Sequence, residues 1–280
     1  MISPEIIDQA ISGLGFQNAS VLTQGGQKIV YSGSIAGAPA VAKIVNLGHG
    51  PVVPIALERA NREVELLAAI DSPHFVKVLS DAIVVGTPPQ AVAWVEELLD
   101  GQDFGEYFGN NHMDESEAIQ FLFDVSRGLA ACHELEVVHR DMSPGNVRRT
   151  AMGRYIIMDP GLARHLERTV ITGLYQPGTP GFRSPEHLSG QRPQYSSDIF
   201  CLGLLAFWAL TGEIPFYDTD QHQYDENLRR LPVSPIQDQV DLNEKLAKII
   251  NRCLHKQPAR RYIDGNELLE DLIEEFGSRP

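Results

Sequence analysis

Cysteine is scarce in this chain: three residues in 280, Cys132, Cys201 and Cys253, standing far apart. There is no C-x-x-C pair and no cysteine–histidine spacing suited to zinc, so neither a disulfide framework nor a structural zinc site organises the fold. Each cysteine sits in an apolar, helix-like stretch, the setting of a buried thiol in a reducing compartment. Basic residues are also in short supply. Lysine and arginine total 23 against 37 aspartates and glutamates, a formal net charge of −14. That sign repels nucleic acid and anionic membrane surfaces, and neither is expected as a partner. Long apolar runs are missing too: the most apolar stretch, Ile199 to Leu210, is far short of the roughly 20 residues that span a bilayer. It reads as a buried core helix. The N-terminus lacks a basic segment followed by an apolar one, so no signal peptide is expected and the protein is expected to be cytoplasmic. Internal repeats and low-complexity tracts are not found. With 43% hydrophobic and 21% charged residues, the chain has the composition of an ordinary globular protein.

The pattern along the chain divides into a strand-rich part and a helix-rich part. Ser3-Pro4 is a helix start, and Ile6, Ile7, Ala10, Ile11 and Leu14 give that helix one apolar face. From Ser20 to Val45 the pattern is strand-like with glycine breaks: Val21-Leu22, Ile29-Val30-Tyr31, then Ala40 to Val45. Glu58 to Ile70 predicts a helix, and Phe75–Val85 and Ala91–Glu97 predict two more strands. Beyond Asp100-Gly101 the periodicity is helical. Asp114 with Glu117 resembles a capping box ahead of Ile119, Leu122, Phe123, Val125, Leu129 and Cys132. Ser197-Asp198 is expected to cap the apolar helix, and amphipathic helices are expected near Asn243–His255 and Gly265–Phe276. The expected division is a helical extension over residues 1–19, a small lobe over 20–98 and a large lobe over 99–280.

Phosphoryl transfer asks a protein to hold a triphosphate, to hold Mg²⁺ across its oxygens, and to orient a hydroxyl in line with the γ-phosphorus. His139-Arg140-Asp141 followed by Asn146, then strand-like Tyr155 to Met158 delivering Asp159-Pro160-Gly161, supplies such groups in order. These segments resemble the catalytic loop and metal motif of the eukaryotic-type Ser/Thr protein kinase family. The resemblance extends on both sides, over about Leu22 to Phe276. Val41-Ala42-Lys43-Ile44 is similar to the third-strand lysine motif, and Arg62-Glu63-Val64-Glu65-Leu66-Leu67 to the helix bearing that lysine's glutamate. Gly178 to Glu186 resembles the end of an activation segment, Ser197 to Gly203 the start of the large lobe's central helix, and Pro258 to Arg261 the late arginine motif. Each piece alone is a weak signal; their shared order makes the resemblance specific.

The resemblance implies an α+β, bilobal protein-kinase fold: a small antiparallel-sheet lobe with one helix and a larger helical lobe. It implies ATP and Mg²⁺ as cofactors and a protein as substrate, and is silent on oligomeric state. Asp141 would accept or orient the substrate's hydroxyl proton, and Asn146 and Asp159 would hold Mg²⁺. Lys43 would contact the α- and β-phosphates, held by Glu63 with Glu58 as the rival partner. Gly25, Gly26, Val30 and Ala42 complete the expected nucleotide-binding set. Glu186 and Arg261 are expected to form a structural ion pair, Asp198 to brace the catalytic loop, and His139 to be a packed core residue.

Several positions depart from the family pattern. The three glycines of the nucleotide-covering loop fall at Thr23, Gly25 and Lys28, so only the middle one is kept. Ser143 stands where a lysine usually neutralises the transferring phosphoryl group, a loss that Arg148, Arg149 or Arg183 could offset. Pro160 replaces the phenylalanine of the metal motif, and the gatekeeper position falls near Glu96. These departures keep a nucleotide-binding pseudokinase open as an alternative, and a small-molecule phosphotransferase as a further one. Thr169 and Thr172 are candidate phosphorylation sites that could pair with Arg140.

Overall fold

The computed structural model describes residues 2–25, 28–48, 50, 53–159 and 182–279, and all their side chains except those of Arg59 and Glu63. Gly26, Pro160, Gly161, Thr169, Thr172 and residues 178–181, which carry expectations above, lie outside the described residues. Two compact units emerge: one from residues 2–71 and 76–99, the other from 72–75, 100–159 and 182–279.

The first unit is an antiparallel sheet with a helix on each face. Its strands are β1 (Gln17–Gln24), β2 (Lys28–Ile35), β3 (Ala38–Asn46), β4 (Ile83–Val85) and β5 (Ala91–Glu97), in the spatial order β1-β2-β3-β5-β4. Ala36 and Gly37, with φ of 51° and 82°, form the two-residue turn between β2 and β3. A pair of left-handed residues suits the right-handed twist of the flanking strands. Side chains alternate along β3, so its two faces have different neighbours. Ala40, Ala42 and Ile44 join Ala91, Ala93 and Val95 beneath α1 (Pro4–Gly13), which contributes Ile6, Ala10 and Leu14. Ser3 caps α1 through the Ile6 N–H, and Pro4 opens its first turn, as expected. On the opposite face Val45, Val92 and Trp94 pack against Ala56, Ala60 and Val64 of α2 (Val53–Ala68).

Two expectations change here. Helix α2 starts at Val53, earlier than Glu58, because Pro54 is tolerated in a first turn where no intrahelical N–H is needed. The segment Phe75–Val85 is not one strand. Only Ile83–Val85 is regular, since Phe75 bridges Ile157 in the second unit while Val78 bridges Glu96 in the first.

The second unit is helical around a small sheet of β6 (Gln102–Asp103), β7 (Val147–Arg149) and β8 (Tyr155–Ile157), in that order. Its helices are α3 (Phe104–Phe108), α4 (Glu115–Glu134), α5 (Pro185–Leu188), α6 (Tyr195–Thr211), α7 (Gln221–Arg230), α8 (Glu244–Cys253) and α9 (Gly265–Phe276). Asp114 caps α4 by accepting from Glu117 N at 2.8 Å. Helix α6 is apolar around its circumference and buried along nearly its whole length, which makes it the central element. Its cap differs from expectation: Gln194 is the N-cap, and Ser197, three residues in, returns the bond at 3.0 Å. Asp198 therefore takes no part in capping and is used elsewhere. The three cysteines are free and buried, and burial raises all three thiols, that of Cys253 to about 12. Among the described residues no helix is long and apolar enough to cross a membrane.

Arg261 ties the carboxyl-terminal part of this unit to α5. It is 1% exposed, and every one of its N–H donors finds an acceptor. Nη1 and Nη2 take the two oxygens of Glu186 at 2.7 and 2.9 Å, and also Ser196 O and Lys256 O; Nε takes His255 O at 2.6 Å. Ser197 Oγ donates a third bond to Glu186 at 2.6 Å. Burial alone would raise the Glu186 carboxyl, but the bonds and charge of Arg261, with Ser197, hold it below its ordinary value. A buried pair contributes to a fold only when its lone pairs and protons are satisfied in this way.

Two outcomes follow from this packing. A Cβ at Gly128 on α4 would fall 2.6 Å from the carbonyl oxygen of His74, so Gly128→Ala is expected to cost about 1–3 kcal/mol in denaturant unfolding. Because the folded state keeps Glu186 ionised where the unfolded chain would protonate it, its stabilisation is complete above the ordinary value of 4.5 and is lost as pH falls through the lower folded value. Thermal midpoints of the wild type should therefore fall more steeply below that pH than those of Glu186→Gln; parallel curves would contradict this.

Candidate active site

In the second unit, the segment from His139 to Asn146 is fixed from below by Asp198 of α6. Its Oδ2 accepts from His139 N at 2.7 Å and its Oδ1 from Arg140 N at 2.8 Å. His133 of α4 adds a ring bond to Oδ2 at 3.1 Å. Gly265 N donates to the other nitrogen of His133, so the ring proton lies on Nε2 and points at Asp198. Burial would raise the Asp198 carboxyl; the His133 bond, the nearby His139 ring and the Arg140 N–H outweigh it and hold it below its ordinary value.

This carboxylate holds the chain in a conformation it would otherwise avoid. Arg140 has φ of 67°, in the left-handed region that is costly for residues other than glycine. The turn delivers Asp141 into the loop, 7% exposed. Asn146 Nδ2 then donates to both Asp141 O, at 2.8 Å, and Asp141 Oδ2, at 2.7 Å. His139 is a packed core residue: Asp141 N donates to its Nδ1, and its Nε2 bonds Met158 O at 2.9 Å. Burial pushes its imidazole down despite the neighbouring carboxylates of Asp198 and Asp141.

The end of β8 is joined to the same loop. Met158 N donates to Asn146 O at 2.8 Å, so Asp159 follows directly from a residue bonded on both sides to the His139–Asn146 segment. Asp159 is itself left-handed, with φ of 48°. The structure thus bonds Asn146 to Asp141 and sets Asp159 next in the chain to Met158, which is bonded to the same loop. With Nδ2 committed to Asp141, the planar Asn146 amide turns its Oδ1 away from that residue. That oxygen and the Asp159 carboxylate are hard donors of the kind Mg²⁺ takes, so the residues present fit the ion. Among the described residues no cluster of three or more His, Cys, Asp or Glu side chains is gathered. Mg²⁺ at a nucleotide needs no such cluster, because phosphates and water complete its shell.

Ser143 is 2% exposed and begins a short 3₁₀ turn over Pro144–Asn146. Two of the three arginines offered as substitutes for its missing lysine, Arg148 and Arg149, are engaged elsewhere. Arg148 donates to Asp100 O and Gly101 O at 2.8 and 2.7 Å. Arg149 binds Glu117 at 2.7 Å and lies over the Tyr107 ring. Neighbours on β7 alternate between faces, and these two serve the β6 and α4 sides.

In the first unit, Lys43 lies on β3 directly opposite Val30 of β2 and Trp94 of β5, and shares their face. Val30 is 6% exposed there. Ala42 is a correction. Period-two alternation turns its side chain to the α1 face, where it packs with Ala40 and Ile44, and the side chain sharing the Lys43 face is that of Val41. Gly25 lies in the turn after β1, its N–H bonded to Lys28 O at 2.9 Å. Glu58 is exposed on α2, and the side chain of Glu63 lies outside the described set.

A partner of Lys43 that the motifs did not announce is Glu96 of β5. Its Oε2 accepts a short bond from Lys43 Nζ, and its Oε1 accepts from Trp94 Nε1 at 2.8 Å. The signal available in the sequence was a carboxylate two residues after a tryptophan, on the strand expected over Ala91–Glu97.

Comparison with known proteins agrees with these motifs. The serine/threonine-protein kinase PknB of Mycobacterium leprae is 28% identical over 226 residues, which is 79% of this chain and 36% of that protein. PknA of Corynebacterium glutamicum is 28% identical over 229 residues, 80% of this chain and 48% of its own length. The serine/threonine-protein kinase drp72 of Corynebacterium efficiens is 31% identical over 229 residues, 80% of this chain and 44% of its own length. The chain thus spans less than half the length of each of these relatives. The family described as Protein kinase domain matches residues 16–271, and the chain belongs to it.

Proposed function

We propose that the chain transfers the γ-phosphoryl group of Mg-ATP to a serine or threonine hydroxyl of a protein substrate. The observation that carries this reading is the loop pinned by Asp198, on which Asn146 holds the Asp141 carboxylate and to which Met158, the residue before Asp159, is bonded on both sides. Related chains named serine/threonine-protein kinases support the hydroxyl class of the acceptor.

Asp141 orients the acceptor hydroxyl and takes up its proton, while the Asn146 amide keeps the carboxylate from rotating. Asn146 Oδ1 and the Asp159 carboxylate would hold Mg²⁺. Bound Mg-ATP supplies the phosphoryl group and the charge neutralisation of its oxygens. Lys43 would contact the phosphates, and Val30 and Val41 on the same sheet face offer apolar surface for the base. Ser143 leaves the transferring group without the usual cation, and Arg148 and Arg149 have other partners. A slower transfer than in a lysine-bearing relative is the consequence.

Transfer of labelled phosphate from Mg-ATP to a generic basic protein tests the reading. Asp141→Asn keeps the bulk and the loop but cannot accept the proton, and should lower kcat by about 10²–10⁴. Asp159→Asn, or chelation of Mg²⁺ in the wild type, should remove turnover. Full turnover in Asp141→Asn would exclude Asp141 from the proposed role. Mg-ATP binding by the wild type with no transfer to any protein would exclude the enzymatic reading.

A further inference from the structure

Trp94 and Glu96 are two residues apart on β5, so their side chains share a face, and Lys43 of the neighbouring strand joins them because it pairs with Trp94. The indole of Trp94 packs with Val45 and Val92 of the sheet and with Ala56, Ala60 and Val64 of α2. Its Nε1–H reaches Glu96 Oε1, and Glu96 Oε2 holds Lys43 Nζ. The side chains of Lys43 and Glu96 are only 6% and 4% exposed.

Removing two such charges from water is costly, and the pair persists only where each charge and its lone pairs are satisfied. Here the second oxygen of Glu96 has a donor of its own in Trp94. The carboxylate is thereby fixed at both ends, one to a side chain wedged against α2 and the other to the lysine.

We propose that Glu96 is a positioning residue that holds and aims Lys43, and that Trp94 braces it so that the seating of α2 is felt at the lysine through the sheet. The proposal rests on the reading of Lys43 as a phosphate contact. An ammonium has three N–H donors, so a bond to Glu96 is compatible with bonds to phosphate. Glu96 then aids nucleotide binding and does not withhold the lysine from it.

The substitution Glu96→Gln preserves shape and can still accept from Trp94, but it sets an amide N–H₂ against the ammonium. Calorimetric titration should show Mg-ATP binding weakened about tenfold or more, the size of one lost charged hydrogen bond. Adenosine, which lacks the phosphates, should bind unchanged. Unchanged or tighter Mg-ATP binding by Glu96→Gln would overturn the proposal, as would an equal loss for adenosine. Trp94→Phe keeps both charges and most of the packing while removing the brace, and should weaken Mg-ATP by an intermediate factor. It also serves as the second test if Glu96→Gln does not fold; full affinity in Trp94→Phe then counts against the brace.

A nucleotide-free measurement separates this proposal from the kinase reading. Acylation of Lys43 by an amine reagent, followed by peptide mass spectrometry, should be about fivefold or more faster in Glu96→Gln, since an adjacent carboxylate suppresses amine nucleophilicity. An unchanged rate would sink the Glu96 proposal whatever the wild type binds. A faster rate in a protein whose wild type fails to bind Mg-ATP would instead sink the kinase reading and leave the Glu96–Lys43 hold standing.

Discussion

A carboxylate with no route to solvent must collect donors, and Asp198 collects the two backbone N–H groups of His139 and Arg140 together with the His133 ring. That requirement shapes the second unit. Helix α6 carries Asp198 because an apolar helix can be buried outright, and its capping is left to Gln194 and Ser197. His133 serves because α4 lies alongside and because Gly265, at the start of α9, fixes its tautomer. The left-handed turn at Arg140 costs free energy, of order 1–3 kcal/mol for such a residue, and the Asp198 bonds offset it. Asp141 is placed where it is as a result. The aspartate that fixes the loop decides where Asp141 sits.

Two buried ion pairs show different uses of the same interaction. Glu186–Arg261 is saturated: every guanidinium N–H has an acceptor, and Ser197 supplies the carboxylate with a further donor. Nothing in it is left for a ligand, which suits a tie between α5 and the chain's late arginine segment. Lys43–Glu96 is built around a flexible ammonium instead. Arginine in that position would be committed by its planar fork, whereas lysine presents a compact point charge on a flexible stem. In an acidic chain of net charge −14, polyphosphate is repelled by the protein as a whole, and a locally positioned cation has to overcome that.

Much of the architecture was legible in the sequence. Ser3-Pro4 and Asp114 mark helix starts through local bonds that need no tertiary partner, and the apolar run at Ile199–Leu210 can only be a buried helix. The family was legible because its motifs place particular side chains in a particular order. The errors share a cause. Ala42 was assigned by its place in a motif, but the alternation of β3 turns it to the face packed against α1, away from the Lys43 face. Arg148 and Arg149 were read as available cations, but β7 aims them at Asp100, Gly101 and Glu117. Phe75–Val85 has the composition of a strand, yet its ends bond to different units.

The sequence by itself determined the order of elements and the family, because those follow from local periodicity and from the order of the motifs. Only the tertiary structure decided which charges meet. Lys43 and Glu96 are remote in sequence, and their contact arises from the antiparallel register of β3 on β5, with Trp94 held in place by α2. Asp198 reaches Arg140 for the same kind of reason, through the burial of α6 beneath the loop. Buried charges are stable only beside partners, and partners distant in the chain are chosen by packing.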